Sequence, residues 1–259
     1  MQLRSVLLAV GFSTMASSVS AATVISVETF SVPNYLDLLG DVNVLASENF
    51  EGFTLVDVPP ADSAPDAFQA DVIETAVGDF SVSPGSQSGS GGTVTDPNPN
   101  LDGSQLAVRN GNVYGRTDST ADIFPLDLPR ADQFLDSNDV NEMDWDVSVA
   151  GDLAFNTLFW VMSDATDVGA LLTIIAGADE ATFDLGPNLS NANKQIVKVT
   201  FDSFVTSASV TFDNSKRNDG LSIDDVVVGI SPVPLPASLV FLGAGLAGLG
   251  VIGRKRRKS

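Results

Sequence analysis

Short runs of alternating apolar and polar residues, separated by clusters of turn-forming residues, recur through the middle of this 259-residue chain. The run over residues 143–149, for example, places an apolar side chain at every second position, which is the period of a half-buried β-strand. The breaks are rich in Gly, Asn, Asp, Pro and Ser, which favour turns. Few segments show the 3.6-residue period of an amphipathic helix, so the pattern predicts an all-β fold.

Nine runs are predicted to be strands, and residues 35–39 are predicted to form a helical turn. The predicted strands are 50–56, 71–76, 105–109, 143–149, 156–162, 170–176, 195–201, 207–212 and 221–229. About 200 residues of this pattern fit one β-sandwich, which can reach that length as a single domain. Residues 81–100 are poor in bulky apolar side chains and are interpreted as a loop rather than a domain boundary.

The composition removes several kinds of chemistry. The chain has no cysteine and no histidine, which excludes disulfides, Ser-His-Asp and Cys-His catalysis, and histidine-bound zinc or iron. Neither Gly-x-x-x-x-Gly-Lys nor Gly-x-Gly-x-x-Gly occurs, so a nucleotide cofactor is not supported. Carboxylates, amides, hydroxyls and a few aromatic rings remain for any function.

The N-terminal segment, residues 1–21, has the pattern of a secretory signal peptide. Arg4 supplies a positive charge, residues 6–12 form a short apolar stretch, and Val19-Ser20-Ala21 is a small-residue cleavage site, with Ser20-Ala21-Ala22 as an alternative. We therefore expect an exported protein whose body spans residues 22–230.

The C-terminal segment, residues 231–259, combines a short motif, an apolar stretch and a basic end. Residues 233–253 carry no charge, and these 21 positions are close to the ~20 that a membrane-spanning helix needs. The residues that follow are Arg254, Lys255, Arg256, Arg257 and Lys258. The positive-inside bias predicts that this cluster stays cytoplasmic and that the body faces the other side. A permanent membrane anchor and a buried core helix are the alternative interpretations.

The motif consists of Val233, Pro234, Leu235, Pro236 and Ala237. With the Gly/Leu-rich stretch and the basic end, it resembles the PEP-CTERM sorting domain of Gram-negative bacteria in its Val-Pro-Leu-Pro-Ala variant. Leu235 stands where the main form of that family has a glutamate, which leaves open which processing enzyme reads the motif. The resemblance implies recognition by an exosortase-type membrane cysteine protease, removal of the tail, and delivery to the cell surface or the extracellular matrix.

The body between the two end segments is strongly acidic. It contains all 33 acidic residues and seven of the 13 basic ones, which gives a net charge of −26. Such a charge repels nucleic acids and anionic membranes, and it favours solubility and divalent cations. Adaptation to a saline or crowded extracellular setting explains the same acidity without any bound ion.

Three phrases in the body resemble those of other surface-sorted β-sandwich proteins. They are Glu48-Asn49-Phe50-Glu51-Gly52-Phe53, Phe134-Leu135-Asp136-Ser137-Asn138-Asp139 and Leu221-Ser222-Ile223-Asp224-Asp225-Val226. The likeness implies a jelly-roll-like sandwich similar to carbohydrate-binding modules, in which an early acidic residue and an Asp of the last strand often share a structural calcium ion. Glu51 and Asp225 are the matching positions, with Asp224 as an alternate.

Two acidic turns offer a separate argument for calcium, which binds about six to eight oxygen ligands. Asp136 and Asp139 flank a Ser-Asn pair, and residues 164–169 contain two further Asp residues. Neither turn matches the EF-hand pattern, and Asp, Asn and Ser are also ordinary turn residues.

The aromatic residues favour a core over a sugar-stacking platform. Trp145 alternates with two Asp residues and is expected to point inward, and Trp160 lies in a largely apolar run. Tyr114 is the better candidate for an exposed ring that stacks on a sugar.

These features predict a non-enzymatic surface or matrix protein with a structural, adhesive or polysaccharide-binding role. The alternative is a secreted carbohydrate-active hydrolase, because two carboxylates at a suitable separation are enough for glycoside hydrolysis. The 33 acidic residues do not single out such a pair.

Overall fold

The computed structural model describes residues 23–56, 67–87, 103–113, 116–117, 133–166, 169–186, 189–190, 192–214 and 220–232. In chain order the elements are β1 (Val24–Thr29), α1 (Val32–Gly40), β2 (Asn43–Glu48), β3 (Ala67–Ala70), β4 (Val72–Thr75), β5 (Gly78–Val82), β6 (Leu106–Asn110), β7 (Asn112–Val113), β8 (Arg116–Thr117), β9 (Gln133–Asp136), β10 (Glu142–Ser148), β11 (Phe155–Ser163), β12 (Leu171–Ala176), β13 (Asp179–Asp184), β14 (Lys194–Val205), β15 (Ser207–Asp213) and β16 (Ser222–Ile230).

The strands form two large antiparallel sheets and one two-stranded ribbon of β7 and β8. The first sheet has the order β1-β14-β11-β16-β9-β6-β3, and β2 also pairs with β16. The second has the order β13-β12-β15-β10-β5-β4. This arrangement confirms the all-β prediction.

The main hydrophobic core lies between the two sheets. Trp145 of β10 and Trp160 of β11 meet edge to face across it, with ring centroids 5.7 Å apart and planes at 84°. Phe80 of β5 stacks on Trp145 at 5.2 Å. Aromatic pairs in these geometries add stability beyond the area they bury, so the three rings join the sheets at the centre of the fold.

Helix α1 covers the outer face of the first sheet. Its N-cap, Ser31, accepts a hydrogen bond from the backbone N–H of Asn34, and Pro33 suits the first turn. The helix and its flanks pack through Tyr35 and Leu38 against Phe159 and Val227. Because both faces of the sheet are covered here, all nine residues of β11 are buried.

Eight of the nine predicted strands overlap observed strands, and the predicted helical turn lies within α1. The strand predicted at 50–56 is wrong. Phe50 has a φ of +58°, in the left-handed region that a strand does not use, and its N–H bonds to the side chain of Glu48 at 2.7 Å. Phe50 and Phe53 nevertheless pack on the core, which explains the misleading apolar pattern.

The predicted signal peptide and sorting segment lie outside the described residues. Within the part of the chain that the structure describes, no helix is both long and apolar enough to cross a membrane.

Candidate functional site

The long strand β16 exchanges partners along one of its edges. It pairs with β9 only at Ser222 and Ile223, and with β2 from Val226 onward. Asp224 and Asp225 lie between these two paired stretches. The edge of β16 therefore has a break, and both acidic residues of the last strand are located at it.

A bulge in β16 places these two carboxylates under α1. The pairing with β11 shifts between Phe159 and Val161, and Asp225 has a φ of +49°. Ile223 and Val226 both face the main core, so the bulge absorbs one residue of the normal alternation. Asp224 pairs with Val161, which contacts α1, and the side chains of Asp224 and Asp225 are only 2% and 3% exposed.

The acidic pair contributes to a raised pKa of Tyr35 in α1. Burial of the ring, and then the negative charges of Asp225 and Asp224, raise the pKa of Tyr35 far above its ordinary range. The phenol consequently stays protonated at every physiological pH and is available as a hydrogen-bond donor. Asp224 Oδ1 also accepts a hydrogen bond from the backbone N–H of Asp225 at 2.7 Å.

Glu51 reaches the same break from the loop that follows β2. Its Oε1 accepts the backbone N–H of Gln133, the first residue of β9, at 3.1 Å. Glu48 is the residue of β2 that pairs with Val226 at the start of the second paired stretch. Glu51 therefore lies three residues beyond that pair along the chain, and Asp225 lies one residue before Val226 in β16.

The donor set at the break contains carboxylate and amide oxygens, which suit calcium. Among the described residues, however, no three Asp, Glu, His or Cys side chains form a group able to hold a metal ion. Glu51, Asp224 and Asp225 therefore do not converge as a set of three. The predicted shared calcium ion involves a pair of carboxylates, and it stays a prediction.

The acidic turn predicted at residues 136–139, at the end of β9, is organised around an arginine. Arg109 Nε lies 2.8 Å from Asp136 Oδ2, and both side chains are fully buried. Asp136 Oδ1 accepts the backbone N–H of Asn138 at 2.8 Å, and Arg109 Nη2 donates to Asn138 Oδ1 at 2.9 Å. Asp139 is buried in the same turn. The guanidinium of Arg109 thus supplies Asp136 with the positive charge that a metal ion was predicted to supply.

The tryptophan predictions are confirmed, because Trp145 and Trp160 are both fully buried in the core. Trp145 Nε1 donates to the carbonyl of Val77 at 3.1 Å. Neither ring is available to stack on a sugar. Tyr114 lies outside the described residues.

A polar clamp holds the chain just after the C-terminal end of β16. The side chain of Asn156, at the start of β11, donates from Nδ2 to the carbonyl of Ser231 and accepts the N–H of Ser231 at Oδ1, both at 2.9 Å and both buried. An open groove of about 690 Å³ lies beside this point and is lined by residues 40–43, Phe204 and residues 230–232. The carboxylate-bearing residue among its described lining is Asp41.

The predicted sorting residues, Val233 to Ala237 and Arg254 to Lys258, lie outside the described residues. Sequence reasoning missed Gln133, Tyr35 and Asn156. No local pattern identifies them, because each acquires its role through contacts with residues distant in the chain.

No protein-family model matches the sequence, and no curated protein matches it. Among solved structures, the enzymatically active domain of tailspike protein 4 of bacteriophage CBA120 is 10% identical, with a TM-score of 0.27, over 74% of this chain and 19% of that chain. TmCBM27, a carbohydrate-binding module that recognises mannan, is 12% identical, with a TM-score of 0.22, over 80% of this chain and 98% of that chain. This chain thus spans about a fifth of the tailspike protein. At these TM-scores neither likeness carries an argument about function.

Proposed function

We propose that this chain is an exported surface protein of a Gram-negative bacterium, delivered to the cell surface or the extracellular matrix by its C-terminal sorting segment. The observation that carries the proposal is the position of the end of β16 relative to the motif in the sequence. Asn156 holds Ser231 by two buried hydrogen bonds, and the Val-Pro-Leu-Pro-Ala motif begins at Val233, two residues further on.

This spacing fits a substrate of a membrane protease. A protease needs an extended, accessible stretch of chain, and a motif held in a strand ladder would first have to be pulled out. Strand β16 ends at Ile230, so the motif follows the last ladder bonds and the clamp without interrupting either. Cleavage at the motif would leave β16 and its neighbours intact.

For the body we propose a structural or adhesive role, including contact with extracellular polysaccharide. Support for a jelly-roll-like sandwich comes from the connectivity. From β9 to β12 each strand lies in the opposite sheet from the strand before it, and the same holds from β13 to β16. The described tryptophans are buried, so sugar contacts by the described body would not include stacking on a tryptophan ring.

We further propose that the body is stiffened by calcium at the break in β16. Glu51 and Asp225 are the proposed carboxylate ligands, with Asp224 as the alternate. A cation there would offset the repulsion between two adjacent carboxylates that are almost fully buried. It would also tie the loop after β2 to the last strand.

A hydrolase is less well supported. Glycoside hydrolysis needs two carboxylates that face one sugar-binding cleft. The groove at the clamp has Asp41 as its described carboxylate, whereas Asp224, Asp225, Asp136 and Asp139 are buried.

The sorting proposal is tested by intact-mass analysis of protein extracted from the cell surface. We expect a mature chain that begins near Ala22 and ends near Pro236 or Ala237. A Pro234→Ala, Pro236→Ala double variant should accumulate at full length in the membrane fraction. Pro232→Ala changes a proline outside the motif and should be processed normally. Recovery of the wild-type surface protein with its C-terminus at Ser259 would favour a permanent anchor instead.

The polysaccharide role is tested with the full chain in detergent on an array of bacterial and plant glycans, alongside a hydrolysis assay on every glycan that binds. Binding without bond cleavage supports the proposal. Turnover of a bound glycan would establish the hydrolase alternative, and a complete lack of binding would leave the structural role alone.

A further inference from the structure

The corner where β11 ends and β14 begins is a second place where oxygen atoms collect. Ser163 and Lys194 form the last pair of the ladder, and the backbone N–H of Asp164 extends it by bonding to the carbonyl of Asn193 at 2.8 Å. Asp164 has a φ of +63°, and its Oδ1 accepts the backbone N–H of Ala192 at 2.8 Å. Its side chain is only 1% exposed. A carboxylate is therefore held inside this corner.

Three neutral oxygens belong to the two chain segments that meet at this corner. They are Thr166 Oγ1, Asn193 Oδ1 and Gln195 Oε1, and within the described part of the chain all three are buried without a hydrogen-bond partner. Thr166 is fully buried and Gln195 is 8% exposed. Buried polar atoms are nearly always hydrogen-bonded in folded proteins, so three unsatisfied oxygens in one corner require an explanation.

The strand geometry places Gln195 on the core side of β14. Lys194 has its Nζ 6.0 Å above the ring of Phe30, which belongs to the cluster under α1. Side chains alternate along a strand, so Gln195, which follows Lys194, points to the other side, toward the main core. Asn193 precedes β14 and belongs to the corner through its carbonyl, which accepts the backbone N–H of Asp164. Gln195 also pairs with Met162, which is in that core. Thr166 comes from the turn after Asp164, next to Ala165, another core residue.

We propose that Asp164, Thr166, Asn193 and Gln195 form a calcium site at this corner. The set offers one carboxylate, one hydroxyl and two amide oxygens, with no nitrogen or sulfur ligand required, and hard cations bind such oxygens. An irregular arrangement of ligands from two turns suits calcium better than magnesium, which demands a near-ideal octahedron. This site is separate from the break in β16 and does not depend on the proposed sorting function.

The chemistry distinguishes a bound ion from oxygens that are merely unsatisfied. Thr166→Val replaces a buried hydroxyl by a methyl group of nearly the same size. Without an ion, removing an unsatisfied hydroxyl should leave stability unchanged or raise it. With an ion, the same change removes a ligand and lowers stability only when calcium is present.

The test compares melting temperatures of the full chain in detergent, in calcium and in chelator, at ionic strength matched with sodium. We expect Thr166→Val to melt at or above the wild type in chelator and below it in millimolar calcium. Asp164→Asn retains an oxygen for the N–H of Ala192 but loses the charge. It should weaken binding of Tb³⁺, measured by luminescence, on the order of tenfold or more, because ligand charge sets cation affinity.

Asp184→Asn is the matched control. Asp184 also accepts a backbone N–H through Oδ1, from Gly186 at 2.7 Å, but it is exposed. It should change neither measurement. Asp225→Asn separates the two proposed sites, because it should leave the Tb³⁺ bound at the Asp164 corner unaffected. The proposal is overturned if Thr166→Val shifts the melting temperature equally in calcium and in chelator, or if Asp164→Asn and Asp184→Asn bind Tb³⁺ alike.

Discussion

The backbone conformation of Asp225 determines which way the side chains of β16 face. Its φ of +49° forms the bulge that keeps Val226 facing the core while both acidic side chains of β16 stay under α1. Asn and Asp tolerate this conformation better than β-branched residues do. The acidic pair and the bulge are thus one structural feature.

Tyr35 gives a pH-dependent prediction at the residue scale. Its pKa is raised in the folded state, so its contribution to stability is complete below the unfolded pKa of about 10 and is lost as the pH rises toward the folded value. Tyr114→Phe leaves Tyr35 as the single tyrosine. In that variant we expect phenolate absorbance at 295 nm to appear only together with loss of near-ultraviolet circular dichroism. Phenolate formation near pH 10 in a chain that remains folded would contradict this environment.

The clamp at Ser231 gives a second prediction. Asn156→Ala leaves a buried N–H and a buried carbonyl of Ser231 without these partners, and each loss costs about 1–3 kcal/mol. We expect urea unfolding of the full chain to show a loss of at least that size. Asn34→Ala removes an exposed side-chain bond to Thr29 and should change stability by less than about 0.5 kcal/mol. Equal effects of the two substitutions would mean that the clamp does not stabilise the end of β16.

At the scale of elements, the packing of β2 on β16 depends on a glycine. A Cβ at Gly229 would lie 2.6 Å from the carbonyl oxygen of Asn43 and 2.6 Å from Cγ1 of Val42, so the strands approach too closely for any side chain. We expect Gly229→Ala to cost about 1–3 kcal/mol by overpacking, as measured by chemical denaturation.

Gly52→Ala is the control for that experiment, because nothing lies within 4 Å of the added carbon and the backbone is not in the left-handed region. Its stability should match the wild type within about 0.5 kcal/mol. A Gly229→Ala variant as stable as Gly52→Ala would show that β2 shifts on β16 without cost.

The sequence pattern predicted those elements whose burial follows from their own residues. Residues 143–149 alternate, and all but the last of them lie in β10, which has one face on the core. Strand β2 was missed because its pairing partner, β16, is about 180 residues away, and nothing local shows that Asn43–Glu48 is extended. For the site, Glu51 and Asp225 came from a resemblance, whereas Gln133 and Tyr35 required the register of β9 and the docking of α1 to be known.

At the scale of the whole molecule, the charge of −26 on the body gives a prediction about calcium. An ion that binds only the folded state adds about 2.7 kcal/mol at a hundred times its dissociation constant. Each kcal/mol of added stability raises the melting temperature of a chain of this size by roughly 2–4 °C. We expect the full chain to melt several degrees higher in millimolar calcium than in chelator, and Asp225→Asn to remove more of the gain than Asp184→Asn.

Sodium at matched ionic strength is the control for that measurement, because salt also screens repulsion between acidic side chains. If sodium reproduces the whole rise in melting temperature, the acidic side chains bind no calcium specifically and only form a solvated surface.

The position of β16 within the first sheet has a mechanical consequence. The strand lies between β11 on one side and β2 and β9 on the other, and it is the last strand in the described part of the chain, ending at Ile230. A pull applied at Ile230 along the strand axis would therefore load the ladder bonds on both edges of a central strand in shear, all at once. An edge strand pulled sideways would instead unzip one bond at a time. A chain tethered through its C-terminus would then carry drag forces along the direction in which its sheet is mechanically strongest.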